Sequence, residues 1–119
     1  MFLKMLKSKL HLARVTGTKP DYSGSIAIDP DLLEAVDLKP YEMVLIADAN
    51  NGNRFETYVI PAERGSRDII VMGPAANLVQ IKDVIIILNF AYFTPDEAKQ
   101  LKPKIAVLDE NNNIEKTLS

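Results

Sequence analysis

Short segments of extended character dominate the pattern of apolar and polar positions along this chain. Leu10 to Thr16 reads as a strand, and Ser25 to Ile28 is a short apolar run. Met43 to Ala47 forms a further strand. The following Asp48–Asn53 stretch contains Asn51-Gly52, a strong hairpin signal, and Arg54 to Ile60 is the return strand. Asp68–Met72, Val84–Phe93 and Ile105–Leu108 complete the strands, and Asn111 to Asn113 reads as a turn. Two short helices carry start signals. Asp29 can cap a helix whose first residue is Pro30 and whose apolar face is Leu32, Leu33 and Val36. Thr94-Pro95-Asp96-Glu97 is a capping box. The pattern predicts a small, mainly β fold, read as a closed barrel with short connecting helices.

Size and composition narrow the classes. At 119 residues, 47% of them hydrophobic, the chain fits a single domain spanning 1–119 with its own core. There is no cysteine, which removes disulfides and cysteine-ligated metals and suits a cytoplasmic setting. The 14 basic and 16 acidic residues leave a net charge of −2, where a nucleic-acid partner would favour a basic surplus. Lys4, Lys7, Lys9 and Arg14 make the start locally basic, but no aromatics interleave with them. No run approaches the ~18 apolar residues that cross a bilayer, so a membrane partner is not expected. The opening Met1–Lys7 segment interrupts its apolar residues with lysines and lacks the core of a signal peptide.

Familiar catalytic equipment is missing. His11 is the only histidine, which excludes a His–His metal site within one chain, and a lone histidine reads first as structural. There is no phosphate-binding loop, dinucleotide fingerprint or nucleophile elbow. Tyr22-Ser23-Gly24-Ser25 precedes an apolar strand, and locally this is a turn entering a strand. A second Gly-Ser pair, Gly65-Ser66, shows how little the dipeptide says alone.

Four blocks in order change that reading. They are Met5–His11; Tyr22–Ser25 with Ile28-Asp29 and Asp31-Leu32; Asn51–Tyr58 running on to Ala62–Ser66; and Gly73–Ala76 with Lys82–Ile86 after it. On these blocks the chain resembles the bacterial aspartate 1-decarboxylases, from Met1 to about Asp109. The resemblance implies a six-stranded double-psi β-barrel assembled as a homotetramer with sites at subunit interfaces. It implies self-cleavage between Gly24 and Ser25, into a short chain 1–24 and a long chain 25–119. Ser25 would become a covalent pyruvoyl group, with no metal. L-Aspartate would lose its α-carboxyl group as CO₂ to give β-alanine, a precursor of pantothenate and coenzyme A.

Residue roles follow from the same resemblance. The Ser25 hydroxyl attacks the Gly24 carbonyl, assisted by the Thr57 hydroxyl. A ketone formed at position 25 captures the substrate amine and acts as electron sink. Tyr58 returns a proton to Cα, since a phenol is protonated at neutral pH and can donate. Lys9 and Arg54 meet the dianionic substrate, and Thr57, Gly73, Pro74 and Ala75 contribute to its binding. On a strand, Arg54 and Tyr58 share one face and Thr57 takes the other. Arg54 and Tyr58 lie about 13 Å apart, so they can serve different subunits' sites. Lys9 and His11 share a strand face and would be solvated without that role.

The chain departs from the family pattern in the substrate loop. Met72 stands where asparagine is typical and cannot donate a hydrogen bond. Pro74 stands where alanine is typical and has no N–H. Ser23 also differs. A helper protein for maturation is left open. The alternatives are a barrel relative that does not mature and acts as a structural subunit, and, less favoured by charge, a swapped-hairpin DNA-binding module.

Overall fold

The computed structural model describes residues 1–118. In chain order the elements are β1 (Leu3–Arg14), β2 (Gly17–Lys19), β3 (Ser25–Ile28), α1 (Pro30–Ala35), β4 (Met43–Asp48), β5 (Arg54–Pro61) and β6 (Ile69–Met72). A 3₁₀ helix (Pro74–Leu78), β7 (Val84–Phe93), α2 (Pro95–Gln100), β8 (Lys104–Leu108) and β9 (Ile114–Leu118) follow. Period-two alternation sets the two faces of the central strands. Val44, Ile46, Ile85 and Ile87 point inward and are buried, while Leu45, Ile86 and Leu88 point outward. The inward residues join Leu10, Ile26, Ile28, Leu32, Ile69 and Leu108 in one core cluster.

The strands pair in the order β2-β6-β3-β5-β4-β7-β1-β8-β9. β1 runs antiparallel to β7 from Leu3 opposite Phe93 to Arg14 opposite Val84, with two register shifts. β3 is the strand that matters most for the site. It lies parallel to β5, with Ile26 opposite Val59, and antiparallel to β6, with Ser25 opposite Met72. The link from β1 to β2 is also tied down. Val15 N–H donates to Asp83 O at 3.0 Å, Lys82 N–H donates to Val15 O at 2.8 Å, and Thr16 N–H donates to Ile69 O at 2.8 Å.

Both predicted helix starts are present. Asp29 caps α1 by accepting from Asp31 N–H, and Thr94 and Glu97 close the capping box of α2. The expected hairpin also forms, with Gly52 at φ 78° and Ala47 opposite Arg54. Asn111–Asn113 turns β8 into β9.

Several expectations change. The first strand begins at Leu3 rather than Leu10, because its lysines do not interrupt the sheet. Lys4 reaches out over the Tyr92 ring, 6.0 Å from its centroid, and Lys7 Nζ pairs with Glu42 at 2.9 Å, so both stems lie along the sheet with the charges outside. Among the described residues nine strands are present where six were expected. β2 has three residues and every residue of β9 is exposed, so neither carries an apolar pattern that sequence could reveal. The coarser expectation holds: the fold is mainly β with short helices in the connections. Among the described residues no ladder joins the two end strands β2 and β9.

Candidate active site around Gly24 and Ser25

Ser25 opens β3 and is 3% exposed, whereas Tyr22, Ser23 and Gly24 before it are exposed. The turn leading in is held by Tyr22 N–H donating to Lys19 O at 3.3 Å. The same carbonyl accepts from Gly73 N–H at 2.9 Å, so Gly73 is fixed beside this turn. Gly73 has φ 86° and ψ −163°, a region that essentially only glycine occupies. A Cβ built there would lie 2.7 Å from Gly24 Cα and 2.8 Å from Gly24 N. At Gly24 itself φ is not positive, and an added Cβ would meet nothing within 4 Å. The conformational freedom of glycine is therefore used at position 73.

β5 brings Tyr58 and Thr57 to the same place. Continuing the Ile26–Val59 register backwards sets Ser25 level with Tyr58 and Gly24 level with Thr57, one strand spacing of about 4.8 Å away. Directly opposed residues share a face, so Ser25, Met72 and Tyr58 project to one side. Burial follows the same alternation: Arg54, Glu56 and Tyr58 are exposed, and Phe55 and Thr57 are half-buried. Arg54 lies on the Tyr58 face, about 13 Å up the strand. Lys9 reaches this face by a row of opposed residues: Lys9, Leu88, Leu45, Glu56. That row spans three strand spacings, about 14 Å along the sheet. One protomer thus sets Ser25, Met72, Tyr58 and Thr57 together beside Gly24 and Gly73, and leaves Lys9 and Arg54 at a distance. Neither Lys9 nor Arg54 has an ion pair among the described residues.

The expected substrate loop is the start of the 3₁₀ helix. Gly73 N–H is committed to Lys19 O, and Gly73 O accepts from Ala76 N–H at 2.9 Å. Pro74 has no N–H. Of the trio Gly73, Pro74 and Ala75, only Ala75 keeps an N–H in a first turn, where such groups lack intrahelical partners.

Residues 1–115 match the family model described as Aspartate decarboxylase. The chain belongs to the aspartate decarboxylase family. It is 52% identical over 114 residues to the Aspartate 1-decarboxylase of Acetivibrio thermocellus, covering 96% of this chain and 90% of that one. It is 50% identical over 118 residues to that of Bacillus licheniformis, covering 99% and 93%. It is 50% identical over 110 residues to that of Thermosipho africanus, covering 92% and 90%.

In this aspartate decarboxylase family member, sequence reasoning missed Tyr41. Its ring stacks on Tyr58 with centroids 6.3 Å apart, and it sits at φ 74° with its N–H donating to Val59 O. Nothing in Lys39-Pro40-Tyr41 signals that contact. His11 is half-buried with Nδ1 unbonded, and burial first, then Lys9, lowers its pKa and favours the neutral ring. Among the described residues no three His, Asp or Glu side chains converge as metal ligands. Among the described residues no helix is long and apolar enough to cross a membrane. The cavity of about 490 Å³ beside Arg14, Thr16, Ile81, Lys82 and Glu110 includes neither Ser25 nor Tyr58.

Proposed function

We infer that this chain cuts itself between Gly24 and Ser25 and then converts L-aspartate to β-alanine and CO₂, in the cytoplasm, feeding pantothenate and coenzyme A formation. The observation that carries this is the adjacency of Ser25, Tyr58 and Met72 on one sheet face, with Gly24 level with Thr57 and lying against Gly73. Membership of the family supplies the substrate.

Self-cleavage begins with Ser25 Oγ attacking the Gly24 carbonyl carbon. The C–O bond forms, the C–N bond breaks, and the hydroxyl proton passes to the freed amine. The Thr57 hydroxyl, level with Gly24, donates to the carbonyl oxygen as charge builds there. Elimination then removes the Cα proton of residue 25, forms a Cα–Cβ double bond as the Cβ–O bond breaks, and releases Gly24, with that proton, as a carboxylic acid. One water adds and one ammonia leaves, so chains 1–24 and 25–119 result, the second beginning with a pyruvoyl group. The surroundings fit that group: Ser25 is buried, Met72 lies opposite it, and Tyr58 is the neighbouring polar side chain. When formed, it supplies the electron sink for charge left on the substrate Cα as CO₂ departs.

The chain's own side chains do the rest. Tyr58 delivers a proton to Cα, and Met72 presents an apolar wall. Arg54 grips one substrate carboxylate through two parallel hydrogen bonds, and Lys9 adds a point charge. The ~14 Å row to Lys9 and the ~13 Å step to Arg54 favour a site completed by a second subunit, in a homotetramer. The outward sheet face that carries them is apolar enough to be covered: Met43 is 55% exposed and Phe90 38%.

The same reading takes the fold as a six-stranded double-psi barrel, and the run from β1 to β2 supports it. β1 and β2 are one continuous run, bonded to β7 on one side and through Thr16 and β2 to β6 on the other. Counted as one strand, that run returns the order β6-β3-β5-β4-β7 upon itself, with β8 and β9 appended. The test is intact mass of the purified protein, alone and with cell extract to reveal a helper, followed by assay for β-alanine from aspartate. Two fragments and β-alanine are expected, and Ser25→Ala abolishes both. A Ser25→Ala variant that still makes β-alanine overturns the reading.

A further inference from the structure

We propose that Gly73 is a positioning residue for self-cleavage: its bare Cα is the surface against which the Ser23–Gly24 peptide is held while Ser25 attacks. The inference rests on the self-cleavage reading above and adds a residue to it. An ideal Cβ at position 73 would lie 2.7 Å from Gly24 Cα, 2.8 Å from Gly24 N and 3.1 Å from Ser23 C. These are backbone atoms, which cannot rotate away as a flexible side chain can. The adjacent residue, Met72, is opposed to Ser25 across the β3–β6 ladder. One two-residue segment therefore fixes both sides of the scissile bond, Gly24 through contact and Ser25 through pairing.

Gly73 is itself anchored through both its N–H and its carbonyl. Gly73 N–H donates to Lys19 O at 2.9 Å, and Gly73 O accepts from Ala76 N–H at 2.9 Å. Lys19 O also accepts from Tyr22 N–H, so the turn that delivers Gly24 and the residue that backs it share one carbonyl. An alanine at 73 must push the Gly24 backbone away. Ordinary contact begins at 3.4 Å, so the shift is roughly 0.7 Å. A displacement of about 1 Å at a reacting centre costs about 100-fold in rate. Intramolecular attack on an amide has no other means of restoring the approach, because Ser25 is held in the ladder.

The experiment follows self-cleavage by intact mass against time in Gly73→Ala and Gly52→Ala. Gly52 is the control for a positive φ without a close neighbour: its φ is 78°, and a Cβ there meets nothing within 4 Å. Thermal unfolding of each substitution in a Ser25→Ala background reports the stability cost without cleavage. Gly52→Ala is expected to cleave at close to the wild-type rate, and Gly73→Ala about 100-fold more slowly. The uncut Gly73→Ala chain should resist hydroxylamine, which opens esters but not amides, because the block precedes the attack. Wild-type cleavage by Gly73→Ala, or its arrest as a hydroxylamine-sensitive ester, overturns the proposal. A wild-type chain that stays whole overturns the self-cleavage reading instead. If Gly73→Ala does not fold, the Ser25→Ala protein is studied by NMR. A cross-relaxation peak between the Gly24 and Gly73 α-protons supports the contact, and its absence removes it.

Discussion

Replacing Asp29 by asparagine tests what holds the far end of β3. Asp29 is fully buried and four residues after Ser25. Its Oδ1 accepts from Asp31 N–H at 2.9 Å and Gly65 N–H at 3.0 Å. Its Oδ2 accepts from Arg67 N–H at 2.8 Å and from Arg67 Nη1 at 3.2 Å. Burial alone would raise this carboxyl's pKa, but the three backbone donors and Arg67 outweigh it, and the pKa falls below the ordinary value. Asparagine keeps the two bonds at Oδ1. At the other atom it turns an acceptor into a donor that faces two donors from Arg67. One buried backbone N–H is left unsatisfied, at about 1–3 kcal/mol, and a half-exposed ion pair worth about 1 kcal/mol is lost. The expected loss is therefore ~2–4 kcal/mol at pH 7, or roughly 8–16 °C in Tm for a chain of this size. Asp29→Ala, which orphans all three backbone donors, should lose more. The assay is urea unfolding in a Ser25→Ala background, where the uncut chain permits two-state treatment. The sign with pH is fixed by the depressed pKa. The contribution is present above the unfolded carboxylate value near 3.8 and disappears as pH falls through the lower folded value. Wild type should thus approach the Asp29→Asn variant in stability as acid is added below pH 4. A loss under about 1 kcal/mol at pH 7, or a gap that widens in acid, refutes the reasoning.

Two further outcomes are expected. Tyr58→Phe should cleave itself at the normal rate but turn over aspartate roughly 10²–10⁴-fold more slowly, as loss of a proton donor requires. Unchanged kcat would remove Tyr58 from that role. Asp48 is 2% exposed with Oδ2 unbonded, and burial, then the neighbouring Asp83, raises its pKa. A raised carboxyl pKa contributes stability at low pH that is lost as pH rises from 3.8 through the folded value. Asp48→Asn keeps the bond from Asn50 N–H, can donate to Asp83, and should stabilise by about 0.5–1.5 kcal/mol at pH 7 with the gain shrinking towards pH 4. A destabilised Asp48→Asn at neutral pH, measured by urea midpoint, contradicts the account.

What was legible in the sequence follows from which signals are local. Caps are local, and Asp29-Pro30 and Thr94-Pro95-Asp96-Glu97 both start helices as read. Alternation is local, so the split of Arg54 and Tyr58 from Thr57 was correctly placed. β1 was cut short because Lys4 and Lys7 look like interruptions until their stems are seen lying on the sheet. Contacts across the chain were invisible. Tyr41 meets Tyr58 from 17 positions away only through its positive φ and its bond to Val59. Glycine was expected to matter at position 24 because chemistry was expected there. The structure places the conformational demand on Gly73, nearly fifty residues further on, a position the resemblance named for substrate binding alone.

On the proposed reading, the two sheet faces divide the labour around position 25. Thr57, Phe55 and Val59 face inward, towards residues that cannot move without disturbing the core. In that reading the bond proposed to be cut gains the Thr57 hydroxyl from that side. Ser25, Met72 and Tyr58 project to the other side with Arg54 and Lys9; Arg54 and Tyr58 are exposed there and Ser25 is buried. Entry and catalysis make opposite demands, since carbanion-like charge is best handled away from bulk water. A single protomer leaves Tyr58 38% exposed and Arg54 open to solvent. Covering the apolar row of Met43, Leu45, Leu88 and Phe90 with a second copy would exclude water from the same face that carries the cations. On the proposed homotetramer and self-cleavage, assembly and activity are one requirement: a charge placed at Leu45 should dissociate the oligomer and abolish β-alanine formation while leaving self-cleavage, which draws on Ser25, Thr57 and Gly73 of one protomer, in place. Loss of cleavage together with assembly in Leu45→Glu, read by intact mass and sedimentation, would show that the two faces do not act separately.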